Sequence, residues 1–347
     1  MKRSLKKRLF LTVVTLFVVV AFTGFSVLAF WPYRIPDKAV TVEVPFGASP
    51  RSVARVLSQH SVVRSAEAFY FLPRLTGWSD QLRAGVYRFQ GRTSCLGVLR
   101  QLRSGHGLMT KVTIPEGARS WEVASILQRT VGVDSARFMR LVHSDSVAHA
   151  YGVDAPGLEG YLYPDTYLLA PHVAPEKALE AMVKRFWQVV DDSIPRLARA
   201  QGFTLHQVVT LASLIEGEAK VDSERALISA VYRNRLRKGM LLQACPTIQY
   251  ILGGPRRRLL LDDLKIDSPY NTYRHRGLPP GPVNNPGLRS ITAALHPARV
   301  DYLYFVADGE GGHYFSRTLA QHLRYKAKLD ALRRRLAREK RNHPERF

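Results

Sequence analysis

Thr210-Leu211-Ala212-Ser213-Leu214-Ile215-Glu216-Gly217-Glu218-Ala219-Lys220 runs six residues without a charge and then delivers two acids separated by a glycine. It closes a helical pattern that begins at Leu205. Similar patterns at Asp134 to Val142, Ala174 to Ser193 and Ser223 to Arg237 make the chain mainly helical beyond about Asp134. An acid that emerges from an apolar helix is partly desolvated, which favours its neutral form and suits it to general acid work. Glu216 fits that task best. Gly217 beside it would leave room for a bulky substrate against the backbone. Glu218, two positions on, points about 200° away around the helix, so the two acids cannot face one cleft equally. The plainer reading of both is as solvated glutamates.

Upstream, Lys2, Arg3, Lys6, Lys7 and Arg8 precede an apolar run from Leu9 to Trp31, long enough to cross about 30 Å of hydrocarbon. Positive charge before the span places the N-terminus in the cytoplasm and everything after Pro32 outside it. A cleavable signal peptide ending near Ser26-Val27-Leu28-Ala29 is the rival, but the run exceeds the usual signal core. The expected division is a cytoplasmic tail (1–8), a transmembrane helix (9–31), a small α+β module (38–108) and a mainly helical α+β domain (109–347) that ends in a basic helix. The module reads strand, helix, helix, strand, helix: alternation at Val40, Val42 and Val44 up to Pro45-Phe46-Gly47, helices after Ser49 and over Ala66 to Leu75, a strand at Ala84 to Phe89, and a helix from Ser94 closing at Gly105. Thr110 to Gly117 echoes the first strand-Pro-x-Gly unit.

The 347 residues carry 51 Lys and Arg against 28 Asp and Glu, a net charge of +23, so an anionic partner is expected. Export argues against nucleic acid and for anionic lipid, teichoic-type polymers or carboxylate-bearing peptides. Only Cys95 and Cys245 are present, without a CxxC pair, which removes zinc ribbons and disulfide scaffolds; both are expected as free thiols. His275, His296 and His313 lack metal-ligand spacing. Neither a Walker loop nor a GxSxG elbow occurs. No metal and no cofactor are expected.

Leu158 to Tyr167 packs three tyrosines, Glu159 and Asp165 into ten residues, which reads equally as a carbohydrate-contacting loop or as a packed aromatic turn. Ser268 to Ser290, rich in Pro and Gly, reads as a folded loop lining something. Taken in order, Val112 to Gly117, Glu159 to Tyr167, Ala212 to Ala219, Asn234-Arg235-Leu236, Leu241-Leu242-Gln243 with Pro246-Thr247, Tyr270 to Tyr273, Gly277 to Pro282, His296-Pro297-Ala298, and Tyr302 to Ala307 through Gly311 to Ser316 resemble the endolytic murein transglycosylase family, the YceG-like proteins.

The resemblance implies a single-pass inner-membrane enzyme, with a LysM-like module and a catalytic domain that cuts peptidoglycan glycan strands internally. It places the catalytic glutamate at Glu216, and Glu218, Glu159, Tyr161, Asp165, Tyr167, Gln243, Thr247, Asn271 and Tyr273 against substrate. Peptidoglycan and the inner membrane are the partners it implies, with penicillin-binding synthases or division proteins as further candidates. Gly217 and Cys245 depart from the family pattern, which has a basic or polar residue and an aspartate there. Such an enzyme needs one acid/base residue: it protonates the glycosidic oxygen and then takes the proton of the sugar's own C6 hydroxyl, leaving a 1,6-anhydromuramoyl end. Two rivals are a non-catalytic peptidoglycan-binding scaffold and a pyridoxal-phosphate lyase using Lys220.

Overall fold

Helix α1 (Lys2–Phe30) leads into β1 (Tyr33–Arg34), β2 (Val40–Val44), α2 (Pro50–Gln59), α3 (Ala66–Leu75), β3 (Gly85–Phe89), β4 (Arg92–Thr93) and α4 (Cys95–Ser104). A computed structural model describes residues 2–35, 39–45, 48–105, 107–253 and 259–342; the expected linker position Pro36, the start of the module at Lys38 and the Phe46-Gly47 turn lie outside them. The chain folds as two units, the first made of Met1–Lys111 with Thr130–Gly132 and Leu168–Ala174.

In this first unit the alternation in β2 turns Val40, Val42 and Val44 inward, and β2 pairs antiparallel with β3 so that Val42 faces Tyr87. Each helix starts where a serine side chain accepts a backbone N–H: Ser49 for α2, Ser65 for α3, Ser94 for α4. Helix α4 stops at Gly105, whose φ of 71° is left-handed. The core joins Val53, Leu57, Phe69, Leu72, Leu99 and Leu102, and the end of α1 reaches into it through Ala29 and Phe25. Residues Phe10–Phe30 of α1 are long and apolar enough to cross a membrane, and almost none of that stretch is buried in protein.

The chain continues through β5 (Thr110–Thr113), α5 (Ser120–Val131), α6 (Ser135–Val142), α7 (Asp145–Ala150), β6 (Thr166–Leu169), α8 (Pro175–Val189), α9 (Ser193–Ala200), α10 (Leu205–Glu218), α11 (Arg225–Arg237), α12 (Cys245–Leu252), α13 (Leu288–Leu295), β7 (Tyr304–Ala307), β8 (His313–Ser316) and α14 (Leu319–Asn342). Most of these form the second unit. The sheets are small, four two-stranded pairs among the described residues, so the class is mixed helix and strand with helix dominant. The expected helix Ala174 to Ser193 is two: α8 ends at Val189, and Asp191 accepts from the backbone N–H of Ser193 at the break. The Pro-rich loop ends at Gly287, where α13 begins.

Helix α10 is the axis of this unit. Its start is a capping box between Thr204 and Gln207, and every side chain from Val208 to Ile215 is buried. An apolar run without a polar face demands neighbours all round, and α9, α11, α12 and α13 supply them. The Pro-rich loop is sewn to α10 through Ser213, whose hydroxyl accepts from the N–H of Val283 (3.0 Å) and whose carbonyl accepts from Asn284 Nδ2 (2.9 Å).

Candidate active site

The opposite headings of Glu216 and Glu218 are realised as two separate destinations. Glu216 turns to α13. Its Oε2 accepts from the N–H of Gly287, the residue that caps α13, at 3.0 Å, and its Oε1 meets Arg225 Nη1 at 3.0 Å. Gly287 holds the N-cap position without a side chain to accept from the helix, a Cβ there would run into Glu116, and Glu216 takes up the free N–H of Gly287 at this helix start. Arg225, at the start of α11, also binds Asp222 Oδ1 at 3.1 Å and the Ser290 hydroxyl. The Glu216 side chain is only 6% exposed and that of Arg225 10%.

Glu218 turns to α12. Its Oε1 accepts from the N–H of Cys245, the first residue of α12, at 3.1 Å, with the Tyr232 hydroxyl farther off at 3.4 Å. Burial pushes this carboxyl above the usual carboxylate range, against the opposing pull of the His313 charge and the Cys245 N–H. As a whole residue Glu218 is half-buried, as Glu216 is. Tyr273 closes the group, its hydroxyl 3.2 Å from Cys245 Sγ. His313 is fixed by Glu224, which accepts from its N–H at 2.9 Å and meets its Nδ1 at 2.7 Å. A carboxyl that burial helps to keep its proton, the property sought on sequence at Glu216, is present at Glu218.

Gly217 serves a different purpose from the one expected. A Cβ there would lie 2.5 Å from Pro246 Cγ, so the missing side chain makes room for α12 and not for substrate.

The remaining expected substrate residues divide by burial. Glu218 and Tyr273 come together. Gln243 stands next to them on a left-handed backbone (φ 51°), its amide oxygen 3.5 Å from Arg235 Nη1. Thr247 and Asn271 are wholly buried: Thr247 bonds to the Ala244 carbonyl, and Asn271 holds the carbonyls of Leu264 and Ile266. They shape the loops around Cys245 and Tyr273 and have no surface for a ligand.

Glu159, Tyr161 and Tyr167 are buried and the stretch packs as an aromatic turn, with Tyr161 presenting an edge to a cavity of about 750 Å³ that Trp187, His206 and Pro280 also line. Tyr161 stacks edge-on against Phe186, and Gly160 has no room for a Cβ because Pro282 lies 2.5 Å away. Asp165 is at the surface, paired with Arg185 at 2.6 Å, which with the Thr166 N–H holds its carboxyl below the usual range.

Sequence reading missed Arg225, Asn285 and the role of His313. Asn285 is fully buried and saturated: its Oδ1 accepts from Gly160 and Leu162, and its Nδ2 donates to Ala118 and Glu159. Nothing in its sequence surroundings marks this. Arg225 stands nine positions after Glu216, a spacing that belongs to no single helix and joins α10 to α11.

Burial pushes Glu159 up to about 7, against donation from the hydroxyl and N–H of Ser120. A carboxyl raised in the folded state adds stability that is complete below its unfolded pKa and lost as pH rises through its folded one. Melting temperature should fall between about pH 4.5 and pH 7, with roughly 3 kcal/mol at stake. Glu159→Gln, neutral throughout, should flatten that decline; an unchanged slope would remove Glu159 as its source.

Cys95 and Cys245 are free thiols, the first buried and the second half-buried. Burial and then the nearby Glu218 push Cys245 up to about 11, so almost none of it is thiolate at neutral pH. Maleimide should label two thiols after non-reducing denaturation and neither rapidly in the native protein. Fast native labelling at Cys245 would contradict this.

The YceG-like family model matches residues 42–328. The chain is 33% identical over 305 residues to an endolytic murein transglycosylase of Bacillus subtilis, covering 83% of this chain and 84% of that one. It is 29% identical over 317 residues to an endolytic murein transglycosylase of Streptococcus pneumoniae, covering 82% of this chain and 57% of that one. A YceG-like protein of Listeria monocytogenes, known from its crystal structure, shares 32% identity with a TM-score of 0.58, over 83% of this chain and 98% of that one. The chain belongs to the YceG-like family.

Proposed function

We propose that this chain is a membrane-anchored lytic transglycosylase that cuts the MurNAc-GlcNAc bond inside nascent murein strands, with Glu218 as its acid/base. The names of its relatives support the activity class. The observation that carries the assignment is the difference in partners: Glu216 is held at both oxygens, by Arg225 and by the start of α13, whereas Glu218 is held at Oε1 alone, by the Cys245 N–H and the Tyr232 hydroxyl, and burial raises its pKa. The protonated Glu218 gives its proton to the glycosidic oxygen as the C1–O bond breaks. The muramoyl C6 hydroxyl closes onto C1, and its proton returns to the Glu218 carboxylate. No water enters. A hydrolase would need a second carboxylate facing the same bond, and Glu216 is turned away toward α13.

The span at Phe10–Phe30 fits a single-pass anchor with the N-terminus in the cytoplasm and residues 109–347 as the catalytic domain on the far side of the inner membrane. The β2–α2–α3–β3 order with its antiparallel pair supports a LysM-like reading of residues 38–108 as a glycan-holding module. The test is the mass of products from purified murein. Ends lighter by one water than the reducing ends support the reading; reducing ends indicate a hydrolase, and no products a binding scaffold.

A further inference from the structure

A cavity of about 240 Å³ lies just past the end of α10, between the β7–β8 turn and α14. Lys220, two residues past Glu218, and His313, whose charge acts on the Glu218 carboxyl, both line it. Arg333 of α14 faces them, and Leu329, Leu332 and Leu336, spaced three and four apart on one helix face, give it an apolar floor. The turn approaches the helix closely because residue 309 is glycine: its φ is 96°, and a Cβ there would collide with Leu332.

The cavity combines free positive charge with apolar surface. Among the described residues neither Lys220 nor Arg333 makes an ion pair. Of the acids around it, Glu224 is engaged with His313 and Asp308 with the backbone N–H groups of Glu310 and Gly312, while Glu310 is exposed on the turn and does not line the cavity. A neutral sugar uses neither cation. A ligand that offers a carboxylate next to small alkyl groups uses both surfaces, and the volume admits one or two amino-acid residues. On the reading of this chain as a murein-cleaving enzyme, the sugar beside the scissile bond is the one that carries such a group, a short peptide with free carboxylates and methyl side chains.

We propose that this cavity is the subsite for the carboxylate-bearing stem peptide of the muramoyl residue next to Glu218, so that the enzyme selects peptide-bearing strands over bare glycan. Binding of a soluble muramoyl peptide, and of the same compound with its carboxylates amidated, is measured by calorimetry on the full chain in detergent. The wild type should bind the free acid about tenfold more tightly than the amide, the worth of two modest ion pairs. Lys220→Gln/Arg333→Gln should lose that difference with an unchanged melting temperature, and Arg333→Lys should retain most of it. Equal binding of acid and amide by the wild type overturns the proposal. So does loss of binding to anionic lipid vesicles by the double variant while its muramoyl-peptide affinity stays intact, which would make the cluster a lipid contact. Cleavage of peptide-bearing and amidase-stripped strands is followed separately: the ratio of kcat/KM between them should fall in the double variant, chiefly through KM. A wild type that cleaves neither strand yet binds the acid preferentially would overturn the enzymatic reading and leave the subsite standing.

Discussion

Glu218→Gln should lower glycan cleavage by about 10²–10⁴-fold, the usual worth of a positioned general acid/base, without lowering the melting temperature. The amide keeps the shape of the carboxyl and can still accept from the Cys245 N–H. It cannot give or take the catalytic proton. Stability should hold or rise, because the folded protein disfavours the ionised form of this carboxyl, and at neutral pH the substitution removes that penalty. In the wild type the same shift predicts that cleavage falls on the alkaline side, where the acid is lost, and that this limb vanishes with the glutamate. A Glu218→Gln protein of near wild-type rate would return the acid/base role to Glu216.

The largest loss of stability is expected at Arg225. Replacing it with Met leaves Glu216 buried without its partner, and breaking one side of such a pair typically costs about 3–5 kcal/mol, or roughly 10 °C in melting temperature for a domain of this size. The same change frees the Ser290 hydroxyl and leaves Asp222 with Arg289 alone, so α10, α11 and α13 all lose a shared fastening. Glu216→Gln combined with Arg225→Met should recover part of the loss, since the uncompensated charge is gone. Differential scanning calorimetry of the three proteins decides the matter. A single Arg225→Met that melts like the wild type would show the pair to be ornamental, and Glu216 would then be free for another role.

These two acids also mark how far sequence reaches in this protein. The apolar N-terminal run, the alternation of Val40, Val42 and Val44, the serine caps of α2, α3 and α4, and the uncharged stretch that makes α10 a buried helix are local properties. Length, periodicity and capping chemistry act within a few residues, so the chain states them directly. That Glu216 and Glu218 diverge also follows from helix geometry alone. Which of them keeps a proton does not, because that depends on what α10 meets at its end: Arg225 and the start of α13 on one side, Cys245, Tyr232 and His313 on the other, from segments up to about a hundred residues away. The aromatic turn at Leu158 to Tyr167 divides in the same way. Its composition fits a sugar platform and a core equally, and only the packing of Phe186, Pro282 and Asn285 against it buried it. Desolvation and charge pairing are sums over spatial neighbours, and those neighbours exist only once the helices have docked.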